Sequence, residues 1–236
     1  MVSWSASWNS FYEQMITKGG YNTALHGLWT TIEIAVIGLV IGIFLGTIIA
    51  LVKVMPKNNI AVKAIAVLCD IYVGFFRGTP MVVQLLLGYF VLLPMLGLSV
   101  DAIIVAIAIF GLNSGAYVSE IMRAGIQSVD GGQLEAGRAV GLPYWPAMLK
   151  IVIPQSIKNI LPTLGNEFIV LIKETSVVSF IAVVDLTKAF KAIGDATYEY
   201  IIPYIMLALV YLILVVGITF LVKIMERRLN RNERRG

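Results

Sequence analysis

Charge is scarce in this sequence, and so are the residues that bind metals or form disulfides. Of 236 residues only 14% are charged, while 58% are apolar. A soluble domain is closer to ~25% charged and about half apolar, so composition alone points to lipid. A single cysteine, Cys69, excludes a disulfide framework within the chain and any cysteine-rich metal site. With one histidine, His26, no His/Cys metal cluster can be assembled. No Gly-rich loop followed by Lys-Ser/Thr is present to cradle phosphates. Scattered carboxylates with one histidine make a thin basis for a catalytic set. The expectation is a chain with no catalytic residues and no metal, which binds no cofactor and hydrolyses no ATP itself. There is no obvious domain linker, low-complexity tract or internal repeat.

Residues 1–22 lack the basic stretch, short apolar core and cleavage site of a signal peptide. Trp8, Phe11, Tyr12 and Met15 recur there at helical spacing. That pattern fits a short helix lying on the membrane surface, and equally an aromatic-rich tail without fixed order.

The net charge of +4 could suggest nucleic acid, but its placement argues for a membrane. Six of the 18 basic residues lie in the last fourteen positions, from Lys223 onward, directly after a hydrophobic run. Such a tail marks the cytoplasmic end of a span. A spanning helix needs about 20 mostly apolar residues. Residues 28–52 supply one, interrupted by Glu33; 101–122 supply another, opened by Asp101; 159–182 and 201–222 supply two more. Residues 61–76 and 81–96 are each apolar runs of 16 residues, separated by Arg77-Gly78-Thr79-Pro80. Each run would be ~24 Å long as helix, short of the ~30 Å hydrocarbon core. They are read as one tilted span broken at Gly-Thr-Pro, because Pro80 removes a backbone donor and pushes Thr79 from helical geometry.

The predicted fold is therefore all-α and polytopic, with five transmembrane helices, the N-terminus outside and the C-terminus cytoplasmic. Thirteen basic residues then face the cytoplasm, against Lys18, Lys188 and Lys191 outside, as the positive-inside rule requires. The expected organisation is an interfacial or extracytoplasmic segment 1–22, a transmembrane domain 23–225 with a cytoplasmic loop 123–158, and a basic tail 226–236.

The loop 123–150 is the longest polar interruption and the natural docking site for a cytoplasmic partner. Asp130 followed three residues later by Gln133 is a capping-box variant that starts a helix near Gly131. Gly141 ends that helix as its C′ residue and Pro143 blocks continuation. Ala136, Gly137, Ala139 and Gly141 give it small surfaces for close approach, and Glu135 and Arg138 supply charges that can fix register.

Glu135-Ala136-Gly137, Gly141 and Ile151-Val152-Ile153-Pro154 resemble the EAA loop of the permease subunits of ABC importers. Gly137 stands where that loop has Ala, and Ile153 where it has Leu. Phe76-Arg77-Gly78-Thr79-Pro80 with Val83-Gln84-Leu85, Asn113-Ser114-Gly115-Ala116-Tyr117 with Glu120, Leu164-Gly165-Asn166-Glu167-Phe168, and Lys173-Glu174-Thr175-Ser176 resemble segments of the polar amino-acid uptake group. Glu174 replaces that group's usual Asp.

The resemblance covers roughly residues 20–230. It implies a type I importer permease in a bacterial inner or plasma membrane, with the short helix that starts near Gly131 and ends at Gly141 as the coupling helix, its Glu135, Ala136, Gly137, Arg138 and Gly141 seated on a dimer of ATPase subunits that carry ATP–Mg. It also implies an extracytoplasmic amino-acid-binding protein and a second permease copy, identical or related, with lipid as the remaining partner and no nucleic acid.

Ionisable groups inside spans are costly and are functional candidates by default. Asp70 and Arg77 lie seven apart on one helical face; they could share a polar interior, sit near opposite interfaces, or pair with a neighbouring helix. Glu120 and Arg123 are placed for an i,i+3 pair. Asn113 and Ser114 form a small polar patch facing either substrate or a partner helix. Glu167 and Glu174 lie seven apart on the fourth span, and a lone carboxylate there needs a cation, donors or a proton. The resemblance puts Glu167 close to the passing amino acid; the alternative is a fixed pair with Arg77 or Lys173. The expected pathway residues are Arg77, Thr79, Gln84, Asn113, Ser114, Glu167 and Glu174. The substrate is then a polar amino acid, basic in one reading and glutamine or cystine in the other. His26 and Glu33 are expected at the membrane interface, and the glycines and alanines of the spans in helix packing.

Overall fold

A computed structural model describes residues 4–55 and 59–231, without the side chains of residues 230 and 231. All regular structure among them is helical: α1 Trp4–Tyr12, α2 Gly20–Val54, α3 Ile60–Gly78, α4 Met81–Met95, α5 Ala102–Gln127, α6 Gly131–Ala139, α7 Ile153–Glu174, α8 Leu186–Thr197 and α9 Ile201–Arg231. Lys57 and the last basic residues of the tail lie outside the described residues. Among the described residues, three helices are long and apolar enough to cross a membrane: α2, α5 and Ile201–Leu229 of α9. At 35 residues, α2 is about 52 Å long, more than a bilayer core needs. α4 is a shorter apolar helix.

The expected break falls where Pro80 requires it. α3 ends at Gly78, Pro80 is extended at φ −63° and ψ 143°, and α4 restarts at Met81. The fourth expected span, 159–182, needs correction. Its α-helix begins earlier, at Ile153, and stops at Glu174, followed by a tighter 3-10 turn over Thr175–Ile181 and left-handed Ala182. Thr175 Oγ1 donates to Ile172 O at 2.7 Å and Ser179 Oγ to Ser176 O at 3.1 Å. Hydroxyls that bond back to the preceding turn compete with the α-helical ladder.

The chain divides into two compact units, each built from three stretches of sequence. The first takes 1–38, 79–111 and 170–217; the second takes 39–78, 112–169 and 218–236. In the first, Phe11 of α1 is buried with Ala24, Leu186, Phe190, Ile193 and Ile202. Of the two readings of the aromatic N-terminus, the helix is the one found, and Phe11 is its anchor; Trp4 and Trp8 stay exposed. Asp185 caps α8, accepting from Thr187 N at 2.9 Å and Lys188 N at 3.0 Å, and burial pushes its carboxyl above the usual range.

In the second unit, Val118, Ile160 and Leu164 make one core, and Ile126, Met148 and Val152 another. Its α2 and α5 meet along a stripe of small residues. A Cβ on Gly42 would sit 2.4 Å from Ser114 Oγ, and one on Gly46 2.7 Å from Val118 Cβ. Spacing of four residues puts Gly42 and Gly46 on one face of α2, and only glycine allows so close an approach of two spans.

Candidate functional site

Two places concentrate polar side chains in the second unit. The first lies where the end of α2 meets α3 and α5. Lys53 Nζ is 2.8 Å from Asp70 Oδ1 and 2.7 Å from Glu120 Oε1. Arg123 grips the other Glu120 oxygen through Nε at 3.1 Å and Nη2 at 2.7 Å. Arg77 Nη1 stands 4.0 Å from the same oxygen, and its guanidinium lies 5.4 Å from the centre of the Tyr117 ring. Glu120 thus accepts from two cations and faces a third. The expected i,i+3 pair is present. Of the readings open to Asp70, a pair with a neighbouring helix is the one found, its partner being Lys53 of α2.

This network edges a cavity of about 420 Å³, lined by Arg77, Tyr117 and Glu120 on one side and Asn159 and Thr163 of α7 on the other. Glu167, buried at 8% exposure, follows Asn159 and Thr163 at four-residue intervals and so continues the same face of α7. Asn113 is buried beside the end of α3, its Nδ2 donating to Phe76 O at 3.3 Å, and Tyr72 donates its hydroxyl proton to Leu112 O. Ser114 is sealed against Gly42, and its Oγ has no hydrogen-bond partner among the described residues. Ser114 thus lies against α2, while Asn113 reaches the end of α3. Tyr117, Asn159 and Thr163 were missed by sequence reasoning, although Asn159-x-x-x-Thr163-x-x-x-Glu167 is a polar stripe at helical spacing.

Thr79, Gln84 and Glu174 belong to the first unit. Gln84, 3% exposed, donates its Nε2 to both Thr79 O and Thr79 Oγ1 at 2.9 Å. The two therefore clamp the helix break. The first turns of α4 pack on the 3-10 turn that follows α7, and Glu174 is half-buried at the end of that helix.

The second place is α6. Asp130 Oδ1 accepts from Gly132 N at 2.8 Å. The reciprocal half of the capping box is not found: Gln133 Oε1 instead faces Gln155 Nε2 at 3.5 Å. At the other end Gly141 has φ +91°. Gly141 N donates to Arg138 O at 3.0 Å and Leu142 N to Gly137 O at 3.2 Å, the paired bonds of a Schellman cap. Leu134 packs into the core of Ile126, Met148 and Val152. Gly137 is buried, and a Cβ there would fall 2.6 Å from Ile151 Cδ1, which accounts for glycine in that position. Glu135, Ala136, Arg138 and Ala139 are exposed on the opposite face, and Val140 is 80% exposed. Tyr144, whose hydroxyl donates to Val54 O at 3.3 Å, carries a phenol pushed up by burial.

Residues 38–231 match the family described as binding-protein-dependent transport system inner membrane component. The chain belongs to that family. It is 41% identical over 209 residues to the arginine transport system permease protein ArtQ of Bacillus subtilis (strain 168), covering 89% of this chain and 93% of that one. It is 40% identical over 205 residues to a putative glutamine transport system permease protein GlnP of Rickettsia bellii (strain RML369-C), covering 87% and 92%. Among solved structures, an amino acid ABC transporter crystallised with histidines matches at TM-score 0.84 and 40% identity, over 92% of this chain and 98% of that chain. A chain of the MetNI methionine ABC transporter in an inward-facing conformation, 17% identical, shares the fold at TM-score 0.74. These relatives make the chain a permease subunit of an amino acid ABC importer, a protein of membrane-spanning helices.

Proposed function

We propose that this permease spans a bacterial inner membrane five times, with its N-terminus outside and its C-terminus in the cytoplasm. Two permease copies, identical or related, enclose the pathway, since closed two-fold assemblies are the common solution. A binding protein delivers the amino acid outside, and two ATPase subunits carrying ATP–Mg dock on the loop 123–158. ATP binding draws the docked helices together and biases the bundle between outward- and inward-open packings, the two-state element that alternating access needs.

The observation that carries this reading is α6. Both its ends are capped, one face is packed on its own unit, and the other leaves Glu135, Ala136, Arg138 and Val140 exposed among the described residues. A short helix so rigidly set and so bare on one side suits docking. The substrate is a polar amino acid. Relatives named for arginine and for glutamine stand at 41% and 40% identity, and the buried carboxylate of Glu167 favours a basic side chain.

The test is a substrate-stimulated ATPase assay of the assembled complex with a panel of amino acids. Glu135→Lys reverses the charge at the docking face, and Gly141→Leu strains the cap. Each should abolish stimulated hydrolysis while the permease remains in the membrane. Normal stimulation with both variants would remove α6 from the coupling role.

A further inference from the structure

The second unit carries an apolar groove lined by none of the residues of the cavity beside Arg77 and Glu120. It has a volume of about 340 Å³ and runs between Leu39 and Ile43 of α2, Leu161, Leu164 and Phe168 of α7, and Leu221 and Met225 of α9. Its floor is the contact of Gly165 with Val222, where a Cβ would meet Val222 Cγ2 at 2.6 Å. The walls are smooth because the residues repeat at helical spacing: 161, 164, 165, 168 on α7 and 218, 221, 222, 225 on α9. Leu221 is 65% exposed, and Phe44 on the neighbouring turns of α2 is 67% exposed. In a membrane-spanning chain, such a surface is chemically matched to acyl chains.

One end of the groove is charged. Arg228 follows Met225 by three residues, so it extends the α9 wall, and Lys158 precedes Leu161 by three, so it extends the α7 wall. With α7 and α9 antiparallel, as the five-span reading requires, both mark the same end, about 10 Å from the Gly165 contact. Arg228 is exposed, and no hydrogen bond or ion pair holds it among the described residues. Lys223 and Arg227 add charge on the neighbouring faces of the same helix.

We propose that this groove is a binding site for one anionic phospholipid, its acyl chain lying between α2, α7 and α9 and its phosphate on Arg228. An apolar channel selects a chain but not a headgroup. The cations at its end select the headgroup, because basic pockets between spans at the cytoplasmic side attract anionic lipid. The occupant is a lipid of the surrounding bilayer, so the site is filled whenever the protein is in a membrane that contains one.

The proposal rests on the topology proposed above, but its test is independent of transport. The full importer, purified in detergent, is titrated with dioleoylphosphatidylglycerol or dioleoylphosphatidylcholine and read by native mass spectrometry. We expect one tightly held phosphatidylglycerol per permease, retained in preference to phosphatidylcholine. Arg228→Gln should weaken phosphatidylglycerol about fivefold, the size of one charge at a lipid surface, and leave phosphatidylcholine unchanged. Arg227→Gln, which removes a charge from another face, should leave both unchanged. Leu161→Trp should fill the groove and remove the bound lipid. Equal retention of the two lipids would overturn the site, as would equal losses from Arg228→Gln and Arg227→Gln. Should Leu161→Trp not assemble, the two arginine variants decide alone.

Discussion

Lys53 Nζ donates to Glu120 Oε1 at 2.7 Å, joining residues 67 positions apart. The Glu120 side chain is only 19% exposed and also takes two hydrogen bonds from Arg123. Replacing it by glutamine removes the charge that Arg123 pairs with and leaves Lys53 with Asp70 as its one carboxylate partner in this network. Glu120→Gln should destabilise the permease by about 1–3 kcal/mol, the penalty for stranding a buried polar partner. Thermal unfolding in detergent of Glu120→Gln, Lys53→Met and the double variant gives the coupling. Additive losses would mean that the two side chains are neighbours without being partners.

A second prediction concerns the α2–α5 contact. Gly42→Ala places a Cβ 2.4 Å from Ser114 Oγ and 2.6 Å from Ser114 Cβ, and Ser114 is fully buried. Overpacking of this kind costs about 1–3 kcal/mol. Adding Ser114→Gly removes both contacts but leaves the backbone carbon at 3.1 Å, so recovery should be partial. Gly217→Ala is the control: nothing lies within 4 Å of its Cβ position, and alanine in a helix gains roughly 0.5–1 kcal/mol over glycine. Equal unfolding temperatures for Gly42→Ala and Gly217→Ala would remove the close approach as the reason for glycine at 42.

Topology can be tested by labelling. In a Cys69→Ala background, single cysteines at Ser99 and Asp195 should react in sealed cells with an impermeant thiol reagent, and one at Glu135 should react only after lysis. Asp195 is exposed and held by Lys191 Nζ at 2.7 Å and Tyr200 Oη at 2.8 Å, which keeps its carboxyl below the usual range, so the position is fixed on the surface of α8. External labelling at Glu135 would invert the proposed orientation.

Much of this architecture was legible in the sequence because the signals were local. Pro80 and Thr79 mark the break between α3 and α4 by backbone chemistry alone, and Asp130 and Gly141 bracket α6 by capping chemistry. What escaped was either long-range or masked by apolarity. Lys53 looks like a loop charge until α3 and α5 bring Asp70 and Glu120 to it. The 3-10 turn after Glu174 lies in a stretch whose hydropathy continues, and only the back-bonding of Thr175 and Ser179 tells against an α-helix. Ser114 was paired with Asn113 by adjacency, whereas adjacent helical residues point about 100° apart, and the two reach different neighbours.

The substrate prediction turns on Glu167. It is 8% exposed on the face of α7 that also carries Asn159 and Thr163 into the cavity beside Arg77 and Glu120. A carboxylate on that face is a matched acceptor for an ammonium or guanidinium group passing it. The charge-neutral Glu167→Gln keeps the shape and the acceptor oxygen but removes the charge. If Glu167 reads a cationic side chain, uptake of arginine, lysine and histidine should fall about tenfold or more, one charge-assisted hydrogen bond being worth roughly 1.5–3 kcal/mol. Uptake of glutamine should then change little. Transport in proteoliposomes with labelled arginine and glutamine measures both in one preparation. Equal losses for the two substrates would make Glu167 a structural carboxylate. Unchanged arginine uptake would leave the fold and the docking helix untouched but would take the basis for a cationic substrate away from this residue.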